Sequence, residues 1–431
     1  MTDSPLLAHA VRYLEHWIGY RQRTLQVPGV VAALACDGKV LLERGYGLAD
    51  LDAGTAMTAD SVFPVASHSK TFTSALVLRL VDQGALRLDD TLGQWLPDVA
   101  TGLQEARLCE LLSHSAGLTR DGPDADFWLQ TRGFPGTAEL LGRTEGVLGR
   151  HQQFKYSNIG FALAGLVIEA ARAASYDDVA HTELIDLLGL TSTTTDTVGV
   201  RLPVGYTSRR AGAAREPIPT PAAAALAPAT GWCSTARDLC AFASALCDDD
   251  GLLRADTARA MRHVVWTGQN GDHDYCLGLM HTTVGERDVH GHGGSYPGFQ
   301  TSTRFDAAAG LVAVALTNAI DGPAQELTKA MLSIVDAALK SSPGQPVEGI
   351  GGRYVSTWSV VDVVSFGGTL LAFDPELPDP VERRVELIDD AGGGGWTIAR
   401  GSGFGSPGER VAFDHDGCRF AGMTMRRELA W

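Results

Sequence analysis

Lysine is scarce in this chain: Lys39, Lys70, Lys155, Lys329 and Lys340 are the only five in 431 residues. Cysteine is sparse and unpatterned. Cys36, Cys109, Cys233, Cys240, Cys247, Cys276 and Cys418 are odd in number and lack C-x-x-C spacing. That argues against a disulfide framework or a cysteine zinc module, so they read as small core hydrophobes in a reducing cytoplasm. Basic charge is in deficit, with 35 Lys+Arg against 51 Asp+Glu and a net charge of -16. No basic face is expected for nucleic acid or for an anionic membrane surface. No apolar run approaches the roughly 18 residues of a membrane span. The first 25 residues, MTDSPLLAHAVRYLEHWIGYRQRTL, are interrupted by charges and hold no signal-peptide core. Leu6, Leu7, Val11, Leu14 and Ile18 recur there at helical spacing, predicting an amphipathic helix. The expected location is the cytoplasm.

What is present is ordinary for a globular protein: 45% hydrophobic and 20% charged residues. At about 150 residues per domain, the length allows two or three domains. Val30–Cys36 reads as a strand, Asp37-Gly38 as a hairpin turn, and Lys39–Leu42 as its partner. Ser69–Ala85 is almost continuously apolar, long enough for a buried helix ended by Gly84. Residues from about 90 to 250 read as mostly helical, and Thr235-Ala-Arg-Asp238 is a helix-capping signature. Phe299–Phe305 and Leu311–Thr317 read as a hairpin and Ala324–Leu339 as a helix. SSPGQPVEGIGG, from Ser341 to Gly352, is a linker by composition. Short strands follow at Val355–Phe366, Thr369–Phe373, Arg384–Ile388, Trp396–Ala399, Arg410–Phe413 and Met423–Arg427. The expected layout is α/β (α+β). An antiparallel sheet flanked by helices, with an inserted helical block, fills residues 1–340. A linker spans 341–352 and a small antiparallel β domain 353–431.

Three short motifs carry chemistry. Ser67-His68-Ser69-Lys70 opens the buried helix. Residues i and i+3 share a helix face, so a desolvated, near-neutral lysine could take the serine proton. The plainer alternative is a cap followed by a surface lysine. However, Lys70 is the only lysine with serine three positions earlier, and its helix is too apolar for a surface one. Tyr156-Ser157-Asn158 is the only Y-x-N, and it leads into another buried helical pattern. A tyrosine beside a lysine can be held as phenolate and act as a base, and Asn158 can orient that lysine or a substrate amide. An ordinary turn with a capping serine would look the same. His290-Gly-His292-Gly293-Gly294-Ser295 precedes the Phe299 strand; glycines there admit close backbone approach. The two histidines invite a metal, but no carboxylate or third histidine is read at ligand spacing nearby and H-E-x-x-H is absent. No metal or cofactor is expected.

In this order the three motifs resemble the penicillin-recognising serine hydrolases: class C β-lactamases, D,D-peptidases, D-aminopeptidases and related esterases. Tyr156-Ser-Asn158 is similar to the Y-x-N of that branch, and His292-Gly293-Gly294 to the H-x-G variant of K-T-G. The text following Ser67, Leu111–Leu118 (LLSHSAGL) and Gly231–Phe242 (GWCSTARDLCAF) resemble further fingerprints of the family. The resemblance spans roughly residues 25–340. It implies Ser67 as acylated nucleophile, Lys70 as its proton acceptor, and Tyr156 as the group that protonates the leaving group and activates water. Asn158 would hold Lys70 and the substrate amide. His292 would polarise Tyr156 or the substrate, with Gly293 and Gly294 beside it. Backbone N–H groups of Ser67 and Ser295 would form the oxyanion hole.

One departure matters. Gly293 stands where K-T-G members carry a hydroxyl that helps grip a substrate carboxylate, so amides, D-amino-acid peptides or esters without one are favoured. An acyltransferase on the same scaffold, passing the acyl group to an amine or alcohol, would use the same residues. A non-catalytic ligand-binding protein is the third alternative. The expected partner is therefore a small amide, peptide or ester, with neither nucleic acid nor membrane. The C-terminal β domain resembles appended domains that cover the cleft or mediate dimerisation, so a homo-oligomer is compatible with it.

Overall fold

The computed structural model describes residues 2–209, 214–248, 251–268, 273–390, 395–399 and 406–431. The chain divides into two compact units: Val27–Gln325, and Met1–Gln26 together with Glu326–Trp431. The hydrolase segment expected from sequence, residues 1–340, is thus cut differently. The N-terminal helix and nearly all of the helix Ala324–Leu339 group with the C-terminal strands.

The larger unit is built on an eight-stranded sheet. Its order is Thr55–Ala56, Lys39–Asp50, Gly29–Cys36, Leu311–Thr317, Phe299–Asp306, Arg287–Tyr296, Met280–Val284 and Asp274–Tyr275. All pairings are antiparallel. Strands from the beginning and end of this unit meet at its centre, where Gly29–Cys36 pairs with Leu311–Thr317. Both are buried along their whole length, which explains why they read as continuous apolar runs rather than alternating ones. The turn between the first two strands has positive φ at Asp37 and Gly38 (48° and 74°), the geometry that matches strand twist in a two-residue hairpin.

The helical block inserted between these strands supplies the rest of the core. The helix Ser69–Asp82 is buried through Leu78, and Gly84 follows in the left-handed region, φ +74°. Phe72 stacks on Trp232 at 4.2 Å and on Phe242 at 4.0 Å. The Trp232 carbonyl accepts from Val65 N–H (2.8 Å), and its own N–H donates to Ser69 Oγ (3.0 Å). The segment Gly231–Phe242 is therefore a clamp across the head of the buried helix. Its own helix, Ala236–Cys247, is capped by Thr235, whose side chain accepts from Asp238 N–H.

The smaller unit holds a closed eight-stranded antiparallel barrel. Two of its elements differ from expectation. Val355–Phe366 is two strands, Gly352–Val355 and Val360–Phe366, because Ser356 Oγ accepts from the N–H groups of Trp358 and Ser359 and folds the chain into a turn. Gly417–Phe420 is an additional strand, four residues long and too short for a periodic signal. The N-terminal helix runs from Pro5 to Thr24. Leu7, Leu14 and Ile18 are buried as expected, with Tyr13 and Trp17 beside them. The Tyr13 hydroxyl donates to Asp362 (3.1 Å) and Trp17 Nε1 to the Pro375 carbonyl (3.2 Å). All seven cysteines are free thiols. Among the described residues no single helix is long and apolar enough to cross a membrane.

Candidate active site

From Phe63 to Leu78 every residue is buried except Ser67, which is half-buried. Ser67 sits in a one-turn helix, Ala66–His68, that leads into the helix Ser69–Asp82. Ala66 just before it has φ +51°, a conformation that costs energy in any residue with a Cβ and here turns the chain sharply before the serine.

Lys70 is fully buried, and its Nζ lies 3.2 Å from Ser67 Oγ. It donates to Asn158 Oδ1 (2.7 Å) and to the Ala229 carbonyl (2.8 Å). Both of those oxygens can only accept, so they take two N–H bonds. If the amine is neutral, its one lone pair is left for the Ser67 hydroxyl. Burial pushes Lys70 well below its ordinary pKa; the Asp121 carboxylate opposes the shift and the Arg120 guanidinium adds to it. Asn158 is oriented in turn: its Nδ2 donates to Asp121 Oδ1 (2.6 Å), which fixes Oδ1 toward the lysine.

The Tyr156 hydroxyl donates to Ser67 Oγ at 2.7 Å. Burial of the hydroxyl raises its pKa, against smaller lowering effects of the Ser67 hydrogen bond and Arg120. The resting group is therefore a phenol, where the sequence reading allowed a phenolate. Lys70 Nζ lies 4.7 Å from the centre of the Tyr156 ring. His114 holds this segment in place. Its carbonyl accepts from Lys155 N–H (3.0 Å) and its Nδ1 from Ser157 N–H (3.1 Å). The LLSHSAGL stretch is thus the bracket for the Y-x-N motif, and Ser157 caps the helix Asn158–Arg172.

His292 lies on the strand Arg287–Tyr296 and is buried. Its Nδ1 is 2.6 Å from the Gly293 carbonyl, so that nitrogen carries the proton. Its Nε2 is 3.3 Å from the Tyr275 hydroxyl. Tyr275 thus occupies the place expected of Tyr156. Burial, with the nearby Lys70, lowers the His292 pKa to about 3, so the ring is neutral and brings no positive charge. Gly294 lets this strand pass against the turn that carries Ser67. A Cβ there would lie 2.2 Å from the Val65 carbonyl and 3.1 Å from Ala66 Cβ. Ser295, the next residue, follows near the end of this strand. A Cβ on Gly293 would instead meet the Gln325 side chain at 2.7 Å.

The structure thus brings Ser67, Lys70, Tyr156 and Asn158 into one hydrogen-bonded group, with His292 reached through Tyr275 and His114. Asp121, Arg120, His114, Ala229 and Tyr275 belong to the same constellation. They come from loops, the short helical segment Ala227–Gly231 and a two-residue strand, with no periodic or motif signal, and only His114 lies in a stretch singled out by sequence.

Such a fold and site define a class by geometry: a half-buried serine hydrogen-bonded to a buried lysine at the head of a buried helix. The chain's family follows from comparison: the Beta-lactamase family profile matches residues 14–336, and the chain belongs to that family. It is 31% identical over 319 residues to penicillin-binding protein 4 of Amycolatopsis lactamdurans, covering 68% of this chain and 81% of that one. The octameric penicillin-binding protein homologue from Pyrococcus abyssi superposes with a TM-score of 0.68 at 17% identity, over 97% of this chain and 99% of that one. D-amino acid amidase from Ochrobactrum anthropi SV3, complexed with D-phenylalanine, gives a TM-score of 0.64 at 22% identity, over 76% and 99%. The relatives in this family include hydrolases.

Proposed function

We propose that the protein is a serine hydrolase that forms an acyl-enzyme on Ser67 and cleaves small amides, D-amino-acid peptides or esters that lack a free carboxylate next to the scissile bond. The observation that carries this reading is the three-way hydrogen bonding of Lys70, which leaves the amine lone pair for Ser67.

In the first step the Ser67 proton passes to Lys70 Nζ as Oγ bonds to the substrate carbonyl carbon. The N–H groups of Ser67 and Ser295 receive the oxyanion, a contribution of about 3–4 kcal/mol per donor in comparable sites. As the bond to the leaving nitrogen or oxygen breaks, Tyr156 gives it the phenolic proton. The transient phenolate lies beside the Lys70 ammonium. It then takes a proton from water, the hydroxide attacks the acyl carbon, and Oγ recovers its proton from Lys70 as the acid leaves. Every proton is returned to its starting group. The neutral, fully engaged His292 and the missing hydroxyl at Gly293 remove the usual grip on a substrate carboxylate. The structural likeness to a protein named D-amino acid amidase supports a D-configured acyl side.

The test is a screen pairing D- and L-amino-acid amides with short-chain nitrophenyl esters, with intact-protein mass spectrometry alongside. The expected result is a covalent adduct on Ser67, absent in Ser67→Ala, and faster turnover of D-amides than of their L-forms. A protein that takes no adduct from any ester, β-lactam or fluorophosphonate is not acting by this chemistry. Coupled product exceeding free acid when an amine acceptor is added would assign acyl transfer instead.

A further inference from the structure

Away from the serine, the strand that carries His292 presents a second cluster. His281 on the strand Met280–Val284 stands directly opposite His290 on the strand Arg287–Tyr296. Asp288 lies two residues before His290, hence on the same face of that strand. One candidate ligand atom from each of the three lies within 4.8 Å of the others. The sequence reading had paired His290 with His292 and found no carboxylate or third histidine nearby; the sheet register supplies His281 as the partner, and Asp288 lies on the same strand face.

The hydrogen bonding around the cluster turns one ligand atom of each residue toward the others. His281 Nδ1 is 2.9 Å from Asp274 Oδ2, and its Nε2 faces Asp288 in a short contact. His290 Nε2 is 3.1 Å from the Arg262 carbonyl, which can only accept, so the proton sits on Nε2. Its Nδ1 is then a bare lone pair, and that atom is buried with no hydrogen-bond partner among the described residues. His290 itself is only 6% exposed. A carboxylate on one histidine and a backbone carbonyl on the other are the outer contacts that fix metal-ligating imidazoles in structural and catalytic metal sites.

A cavity of about 560 Å³ opens over these residues, lined also by Cys247, His263, Arg259 and Arg262. The two arginines are engaged elsewhere: Arg262 donates to the Leu246 carbonyl (3.0 Å), and Arg259 pairs with Asp256. The cavity leaves room for water to complete a coordination shell.

We propose that His281, Asp288 and His290 bind one divalent transition-metal ion of the zinc type, with water in the remaining position. Two imidazoles and one carboxylate are the donor set such an ion takes. The ion clamps the hairpin Met280–Tyr296, whose far end carries His292 to Ser295, and takes no part in the acyl chemistry.

The test uses full-length protein without a polyhistidine tag, stripped by chelator and then titrated with Zn²⁺ calorimetrically and with Co²⁺ by visible absorption. The expected result is one tight equivalent, a raised Tm, and a visible Co²⁺ spectrum typical of low coordination number. Asp288→Ala, at an exposed position, and His281→Gln are each expected to weaken Zn²⁺ binding at least tenfold. Their labelling of Ser67 by a fluorophosphonate should match wild type, which confirms that they fold. Wild type that takes up no Zn²⁺ at 100 times the protein concentration overturns the proposal. So does either folded variant binding as tightly as wild type, which would place the ion elsewhere.

Discussion

Two opposite charges flank the amine of Lys70, and their effects on it have opposite sign. Asp121 favours the ammonium and Arg120 disfavours it, while burial sets the overall downward shift. The proposed acylation needs the neutral amine, so activity is expected to rise as pH climbs through the lysine pKa. Asp121→Asn keeps an acceptor for Asn158 Nδ2 but removes the negative charge. The acid limb of kcat/KM should therefore move to lower pH, by about one unit. Arg120→Gln should move it the other way. Parallel shifts in both variants, or none, would mean that the limb reports another group. Lys70→Ala should lose about 10²–10⁴-fold in the acylation rate while the fold is retained, measured by burst kinetics with a nitrophenyl ester. At this scale the sequence was informative where a motif had fixed spacing, as in Ser67 and Lys70. Asp121 was invisible because its role depends on a loop that reaches Asn158 across 37 positions.

Elements set the distances between those residues. The turn that carries Ser67 and the Arg287–Tyr296 strand approach as closely as a glycine allows. Gly294→Ala would place a methyl against the Val65 carbonyl and push the strand, with Ser295, away from Ser67. The expected cost is about 10²–10³-fold in kcat, the worth of one oxyanion donor, with KM much less affected. A variant with wild-type kcat would show that Ser295 N–H does not serve the reaction. The clamp over the nucleophile helix makes a different prediction. Thr235→Ala removes the helix cap seen at Asp238 N–H and should cost about 1 kcal/mol in urea unfolding, leaving kcat unchanged. Elements with their own turn or cap chemistry, such as the Asp37-Gly38 hairpin and the Thr235 helix, were legible in the sequence. The Ser356 turn was not, because it joins two strand-like runs without glycine or proline. Nor was the partner of His290, since strand register is a tertiary property.

At the scale of the whole molecule, the smaller unit is assembled from the two ends of the chain. The helical spacing of the first 25 residues announced a helix but not what it packs on, because an apolar stripe carries no address. Its anchor is polar. Arg353 and Asp362, both fully buried, form two parallel hydrogen bonds of 2.7 Å. Tyr13 donates to the same carboxylate, and the guanidinium lies 3.7 Å from the centre of the Tyr20 ring. A buried pair of this kind adds little over a well-packed apolar pair, yet losing one partner strands the other charge. Asp362→Ala should therefore lower the unfolding free energy of this unit by about 3–5 kcal/mol in urea, and Arg353→Met combined with Asp362→Leu should recover much of it. Ser67 labelling, read well below the transition temperature, separates loss of this anchor from loss of the catalytic residues. If Asp362→Ala unfolds with wild-type midpoint, the helix is held by Trp17 and its apolar neighbours alone, and the ion pair only fixes the register at which it docks.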